Sequence, residues 1–470
     1  MSASPAPEPL SVDLCVIGLG PGGEAAASGA ATAGLDVLAV DAHLVGGECP
    51  YYGCIPSKMM VRAADALGEA HRVGTLAGDV EVVPSWTPVA TRIRDEATTG
   101  WDDTIAVRRL QDAGATVLHG TARLVGERAV EVTLPDGSVR AVTARRGVLL
   151  NPGTRPATPP VDGLAGTPFW TNRDSVRATA VPPRLVVLGG GPVGVEQAQV
   201  FARFGARVTI VQHGERLLPG DEPEASRLLE DVLVGEGLRV LTGRSLEHVA
   251  HADGLFSLTL DDGEHLEAEQ LLVAAGRTPN LDRVGLERVG LDPSSRTLEV
   301  DDRCRVTALG DADPWLWAIG DVTGHGAFTH VSMYQSAVAL ADVLSADHEP
   351  ARYHAVPHVT FTDPEVGGVG LTEAAAREGG LSVRTGTTAL ESSSRGFTHG
   401  PGARGVLKLV EDAERGVLVG ATAVGPGGGE ILGLLALAVH AEVPVATLRT
   451  MIYAYPTFHR AVETALADLS

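Results

Sequence analysis

The chain has 470 residues, 20% of them charged and 44% apolar, with 37 basic against 59 acidic side chains and a formal net charge of −22. That length exceeds one compact core and implies about three or four domains, while the negative charge repels nucleic-acid phosphates and anionic lipid surfaces. No apolar run approaches the roughly 18 residues needed to span a bilayer, and Met1 to Pro9 lacks the basic start and apolar centre of a signal peptide, so the expected compartment is the cytoplasm, with no membrane or nucleic-acid partner.

Residues 1–10 are mostly Pro, Ala and Ser with little to bury and read as a disordered leader. An apolar strand at Leu14–Ile17 runs into Gly18-Leu19-Gly20-Pro21-Gly22-Gly23 and an alanine-rich helix over Glu24–Ala33. Strand, glycine turn and helix together point to a dinucleotide site: Gly18 makes the sharp turn, Gly20 leaves room for a pyrophosphate, and Gly23 permits close helix packing. The helix N-terminus then faces the phosphates. A second strand, Val37–Val40, ends in Asp41, 23 residues beyond Gly18, where a carboxylate can bond ribose hydroxyls.

Next stands Gly46-Gly47-Glu48-Cys49-Pro50-Tyr51-Tyr52-Gly53-Cys54-Ile55-Pro56-Ser57-Lys58, holding two of the four cysteines. Four cysteines are too few for a secreted disulfide scaffold, and a close pair in such a chain is catalytic or metal-binding. No second Cys or Cys/His pair completes a zinc site, so no metal is expected. Cys15, in an apolar strand, and Cys304, in a polar run, read as structural.

This stretch resembles the active-site signature of the flavin-dependent pyridine nucleotide–disulfide oxidoreductases, the family of dihydrolipoamide dehydrogenase, glutathione reductase and mercuric reductase. The resemblance implies an α/β fold with two Rossmann-like dinucleotide-binding domains and a C-terminal α+β dimerisation domain, FAD as cofactor, NAD(P)H as hydride donor, and a homodimer. It implies that Cys49 and Cys54 form a redox disulfide, with Cys49 the thiol that attacks substrate and Cys54 the one beside the flavin. Gly46 and Gly47 belong to the flavin loop, and Lys58 sits by the flavin.

A long helix is expected over Met59–Ala77, further helical stretches over 80–120, and a hairpin over 129–142 with its turn at Asp136-Gly137. Where the family has Ala-Thr-Gly, this chain has Asn151-Pro152-Gly153. The first pattern then repeats: strand Arg184–Leu188, loop Gly189-Gly190-Gly191-Pro192-Val193-Gly194, and helix Val195–Phe204, 171 residues after the first loop. By resemblance Gly189, Gly191, Gly194 and Gly276 bind the nicotinamide nucleotide, and Glu196 pairs with Lys58. The strand Arg207–Val211 ends at Gln212, where an acid favours NAD and an arginine NADP. Gln212 is neutral, with His213, Glu215 and Arg216 close behind it, and leaves the two open.

Trp315 to Asp321 resembles the second flavin contact of the family, with Gly320-Asp321 at a strand end and the aspartate on the ribityl chain, followed by a helix over Val331–Leu344. His325 and His330 near it read as structural. The expected divisions are therefore a leader over 1–10, an FAD-binding domain over 11–156 and 281–348, a nicotinamide domain over 157–280 and a dimerisation domain over 349–470.

The tail departs from the pattern. Members acting on small disulfides carry His-Pro-Thr-x-x-Glu, and this chain has Tyr455-Pro456-Thr457-Phe458-His459-Arg460. A phenol with an ordinary pKa near 10 is a weaker base at neutral pH than an imidazole near 6.5. Tyr455 in that place resembles the mercuric reductase branch, although the chain ends at Ser470 without the cysteine pair found there. Glu48, beside Cys49, opposes thiolate formation, and Tyr51 and Tyr52 suit either a flat substrate or packing. The reading is a disulfide oxidoreductase; a soft-metal or mercuric ion reductase, a quinone reductase using flavin directly and a non-catalytic redox sensor are the alternatives.

Overall fold

The computed structural model describes residues 10–310 and 313–470, which divide into two compact units. The leader expected over 1–10 lies outside the described residues except for Leu10, which begins the first strand. One unit comprises residues 1–56, 94–155 and 277–353, and the other 57–93, 156–276 and 354–470.

The first unit is built on a seven-stranded sheet. Its order is Thr116–His119, Val37–Asp41, Leu10–Ile17, Val139–Leu150, Ala129–Thr133, Thr121–Gly126, with Leu316–Ala318 also paired to Val139–Leu150. Strands Leu10–Ile17 and Val139–Leu150 run parallel, with Ile17 opposite Leu150. Alternate residues of the first strand enter two separate cores, Cys15 and Ile17 on one face, Leu14 and Val16 on the other. A sheet covered on both faces explains the unbroken apolar run there. The hairpin expected at Asp136-Gly137 is present, with Thr133 opposite Val139.

The second unit contains a four-stranded parallel sheet in the order Arg239–Thr242, Arg207–Gln212, Arg184–Leu188, Gln270–Val273. It also contains a three-stranded antiparallel sheet over 246–268 and a five-stranded antiparallel sheet ordered Pro357–Thr360, Glu365–Gly370, Val417–Gly425, Val406–Asp412, Val383–Ala389. The apolar side of helix Gly428–His440 covers the five-stranded sheet through Ile431, Leu432 and Leu435. The chain is thus α/β, with two strand–glycine loop–helix units on separate sheets and a C-terminal α+β region, as expected.

The helix after the cysteine pair begins at Cys54 and ends at Arg72, earlier at both ends than the Met59–Ala77 expected from periodicity. Pro56 falls in its first turn, where a missing N–H has no intrahelical partner to lose. Among the described residues no helix is long and apolar enough to cross a membrane.

Candidate active site

In the first unit, the strand ending at Ile17 delivers Gly18 into a turn with φ +88°, and a Cβ there would stand 2.2 Å from the Asn151 carbonyl oxygen. At Gly23 a Cβ would lie 2.0 Å from the Gly18 oxygen. These two glycines are demanded by the protein's own backbone. Gly20 is different: it is an N-cap with ordinary φ and no side-chain cap on helix Pro21–Thr32, and a Cβ would meet only the Asn151 amide nitrogen at 3.3 Å. Its smallness opens the uncapped N–H groups of the first turn, an arrangement that fits a pyrophosphate.

Asp41 ends the second strand and is buried, its two carboxylate oxygens accepting from the Leu19 and His43 N–H groups, each at 2.7 Å. Burial pushes its pKa up against those two bonds. The Gly46-Gly47 loop comes against the first loop: Gly46 donates its N–H to the Leu19 carbonyl at 2.7 Å, and a Cβ on Gly47, at φ +68°, would stand 2.8 Å from the Gly20 Cα.

Cys49 lies in the short helix Glu48–Tyr52, and Cys54 opens the next. The two sulfurs are not bonded to each other in this structure. The Thr329 hydroxyl, on the first residue of helix Thr329–Val343, is 3.4 Å from the Cys54 sulfur. Cys49 is half-buried, and its hydrogen bond with Cys54, followed by burial, raises its pKa, which the Thr329 hydroxyl partly opposes.

Glu48 is not the uncompensated charge expected from sequence, because Arg277 Nη2 stands 3.6 Å from its Oε2. Arg277 also donates to the Thr154 hydroxyl at 2.6 Å, and that hydroxyl donates to Asp321 at 2.6 Å. The residue beside Cys49 is therefore wired to the aspartate expected on the ribityl chain. Gly320 has φ +77° and a Cβ there would meet Asn151 Oδ1 at 2.7 Å, while its N–H donates to the buried Gln335 at 2.7 Å. Asn151, the departure from Ala-Thr-Gly, accepts from the Ser332 hydroxyl and donates to the Gly18 carbonyl.

Tyr51 is buried, and its carbonyl accepts from the Trp101 indole N–H at 3.2 Å. His325 stacks on Tyr353 at 3.7 Å between ring centres, and burial lowers its pKa. His330 stacks on Phe328.

In the second unit, Gly189 and Gly194 repeat the backbone constraint: a Cβ would stand 2.4 Å from the Ala274 oxygen and 2.0 Å from the Gly189 oxygen, respectively. Gly191 is again the uncapped N-cap, of helix Pro192–Arg203, and has nothing within 4 Å of an added Cβ. Gly276 has φ +115° and open space around it. Gln212 accepts from the Gly190 N–H at 2.8 Å. Lys58 Nζ lies 2.7 Å from Glu196 Oε2, whose Oε1 accepts from the Phe361 N–H at 2.8 Å. The Lys58 ammonium also sits 4.7 Å above the Phe361 ring.

In the tail, Tyr455 is 68% exposed, with the Arg460 guanidinium 5.5 Å from its ring centre. Arg460 pairs with Glu463 at 2.9 Å. His459 Nε2 is 3.4 Å from the Thr457 hydroxyl. Sequence reasoning missed Thr329, Arg277, Thr154 and Phe361, because each acts through a contact made between distant stretches of chain.

Residues 12–340 match the family model described as pyridine nucleotide-disulphide oxidoreductase, and residues 356–466 match the dimerisation domain of the same family. The chain is 33% identical over 461 residues to a dihydrolipoyl dehydrogenase of Chlorobaculum tepidum, covering 97% of this chain and 96% of that one. It is equally 33% identical over 465 residues to a mercuric reductase of Streptomyces lividans, covering 96% and 95%. The crystal structure of LpdA from Mycobacterium tuberculosis superposes with a TM-score of 0.85 at 25% identity, covering 97% of this chain and 99% of that one. The chain belongs to the pyridine nucleotide–disulphide oxidoreductase family and is a flavoprotein enzyme of that family, using FAD and NAD(P)H.

Proposed function

We propose that this enzyme passes electrons from NAD(P)H through FAD to the Cys49/Cys54 pair, and from the pair to a disulfide or another small acceptor. The observation that carries the reading is the pair itself: Cys49 in helix Glu48–Tyr52 and Cys54 at the start of the next helix, with the Cys54 sulfur 3.4 Å from the Thr329 hydroxyl at a helix N-terminus. FAD, when bound, supplies the exchange between hydride from the nicotinamide and electron pairs delivered to sulfur. Gly18, Gly20, Gly23, Asp41, Gly46, Gly47, Gly320 and Asp321 would hold it. Gly189, Gly191, Gly194, Gln212 and Gly276 would hold the nicotinamide nucleotide.

The chain's own chemistry balances as follows. Two electrons and two protons open a Cys49–Cys54 disulfide to two thiols. Attack of the Cys49 sulfur on an acceptor R–S–S–R forms a mixed disulfide and releases one RSH. Attack by Cys54 on that bond restores Cys49–Cys54 and releases the second RSH. Lys58, fixed by Glu196, keeps a positive charge in place, and Tyr455 stands where related disulfide reductases have their base. The dimerisation domain leaves Phe397, Ile452 and Tyr455 exposed at 86%, 96% and 68%, which supports a homodimer whose partner covers them.

A second reading, reduction of mercuric or another soft metal ion by the dithiol, is favoured by Tyr455 and by relatives named mercuric reductase. One panel separates the readings: turnover of small disulfides, mercuric ion and quinones with NADH and NADPH, in the wild type and in Cys54→Ser. Disulfide turnover lost in the variant supports the proposal. Quinone turnover that survives the substitution, with no disulfide or metal reduced, would sink the thiol route.

A further inference from the structure

The two glycine loops are held by the same device, which fixes what Gln212 does. In the first, Asp41 at the end of its strand accepts the N–H of Leu19, the second loop residue, at 2.7 Å. In the second, Gln212 accepts the N–H of Gly190, again the second loop residue, at 2.8 Å. Gln212 therefore occupies the acid's position and keeps its loop-holding duty while carrying no charge. Its amide nitrogen is turned toward the Arg216 carbonyl at 3.4 Å.

A 2′-phosphate on the adenosine ribose needs a guanidinium or ammonium at this strand end. The chain puts two arginines near it, and both are engaged elsewhere. Arg216 donates to the Asp221 carbonyl at 2.6 Å, the Pro219 carbonyl at 2.7 Å and the Ser226 hydroxyl at 3.0 Å, so its guanidinium braces the loop that follows. Arg244, whose backbone N–H bonds the Gln212 carbonyl, turns its side chain to Asp262 at 3.1 Å. The remaining groups are His213, bonded to the Ser245 hydroxyl at 2.7 Å, and Glu215, exposed and negative. The site offers an amide to a ribose hydroxyl and no committed cation to a dianion.

We infer that the second loop selects the 2′-hydroxyl nucleotide, NADH, over NADPH, with Gln212 as the residue that reads the ribose and the bracing of Arg216 as the reason a 2′-phosphate finds no partner. This rests on the reading of Gly189–Gly194 as the nicotinamide site. The binding test needs no turnover: calorimetric titration of the FAD-loaded protein with ADP-ribose and with 2′-phospho-ADP-ribose at about 0.15 M salt, where diffuse attraction is screened. One unmet charge-assisted bond is worth about a tenfold change in affinity or more, so ADP-ribose should bind about tenfold tighter. Stopped-flow reduction of the flavin should favour NADH in the same sense. His213→Arg, which adds a guanidinium at the strand end, should narrow the ratio at least threefold. A wild-type ratio under about threefold, or a preference for the phosphorylated ligand, overturns the inference and leaves the electron-transfer reading standing. Failure of both ligands to bind, with neither nucleotide reducing the flavin, overturns the underlying site assignment instead.

Discussion

Lys58 Nζ is 2.7 Å from Glu196 Oε2, joining residues 138 apart in sequence, and Glu196 is only 6% exposed where Lys58 is 34% exposed. Removing the lysine strands a carboxylate whose remaining hydrogen bond among the described residues is from the Phe361 N–H. Lys58→Met should therefore destabilise the fold by about 2–3 kcal/mol, below the range for fully buried pairs because the lysine is partly solvated. The double variant Lys58→Met with Glu196→Gln should recover most of that loss in chemical denaturation. A double variant no more stable than the single would show that the ion pair is not the source.

The middle glycine and the outer glycines of the first loop should respond differently. Gly18→Ala and Gly23→Ala force a Cβ into backbone at 2.2 and 2.0 Å, so both should lose folded yield as well as flavin. Gly20→Ala meets only a side-chain nitrogen at 3.3 Å, so its thermal stability without flavin should stay near wild type while the flavin-to-protein ratio falls. Gly34→Ala, at φ +89° with nothing within 4 Å, is the control: about 1 kcal/mol less stable with flavin content unchanged. Absorbance at the flavin band against protein concentration checks all four.

The bond with Cys54, followed by burial, raises the pKa of Cys49 above that of an ordinary thiol. In the reduced protein, alkylation of Cys49 by iodoacetamide should therefore be slow at pH 7 and still climbing above pH 9, since the thiolate is the nucleophile. Cys54→Ala removes the largest cause of the shift, so Cys49 labelling at pH 8 should accelerate severalfold. Mass spectrometry of the Cys49 peptide reads this directly. No acceleration would place the cause in burial alone.

Much of this was legible from the amino acids. Both glycine loops were expected from motif spacing, because glycine has no substitute in that geometry, and the roles of the cysteine pair and the Lys58–Glu196 pairing were expected from the family resemblance. What stayed hidden were partners supplied by remote segments. Glu48 reads as a destabilising charge until Arg277 is seen beside it, and Arg277 stands 229 positions further along the chain. Thr329 reads as one more helix residue until its hydroxyl meets Cys54. The helix starts at Cys54, before the Met59 at which the apolar periodicity begins, and Pro56 is harmless within its first turn.

The dimerisation domain is anchored by a buried cation. Lys408 is 4% exposed and touches Glu222 at 3.1 Å, Glu224 at 3.1 Å and Glu373 at 2.8 Å, while Glu222 is 3% exposed. Lys408→Met should cost about 3–5 kcal/mol by leaving Glu222 buried without its countercharge. Arg404→Ala breaks an exposed pair with Asp231 and should cost under about 1 kcal/mol. Equal losses in the two variants would contradict the difference in burial.

Replacement of the tail residues tests the way out of the dithiol. Tyr455→His with Arg460→Glu restores an imidazole near pKa 6.5 and a carboxylate to orient it, and disulfide turnover should rise on the order of tenfold to a hundredfold. An unchanged rate would mean that proton transfer at this position does not limit the reaction.

The most direct test of the central claim is a count of reactive thiols on either side of nucleotide reduction. The air-oxidised protein is alkylated under denaturing conditions, then compared with protein first reduced anaerobically by NADH. Cys49 and Cys54 should both be blocked before reduction and both alkylated after it, with Cys15 and Cys304 labelled equally in the two samples. If Cys49 and Cys54 are already labelled in the oxidised protein, or stay blocked once the flavin has been reduced, electrons do not travel through this pair.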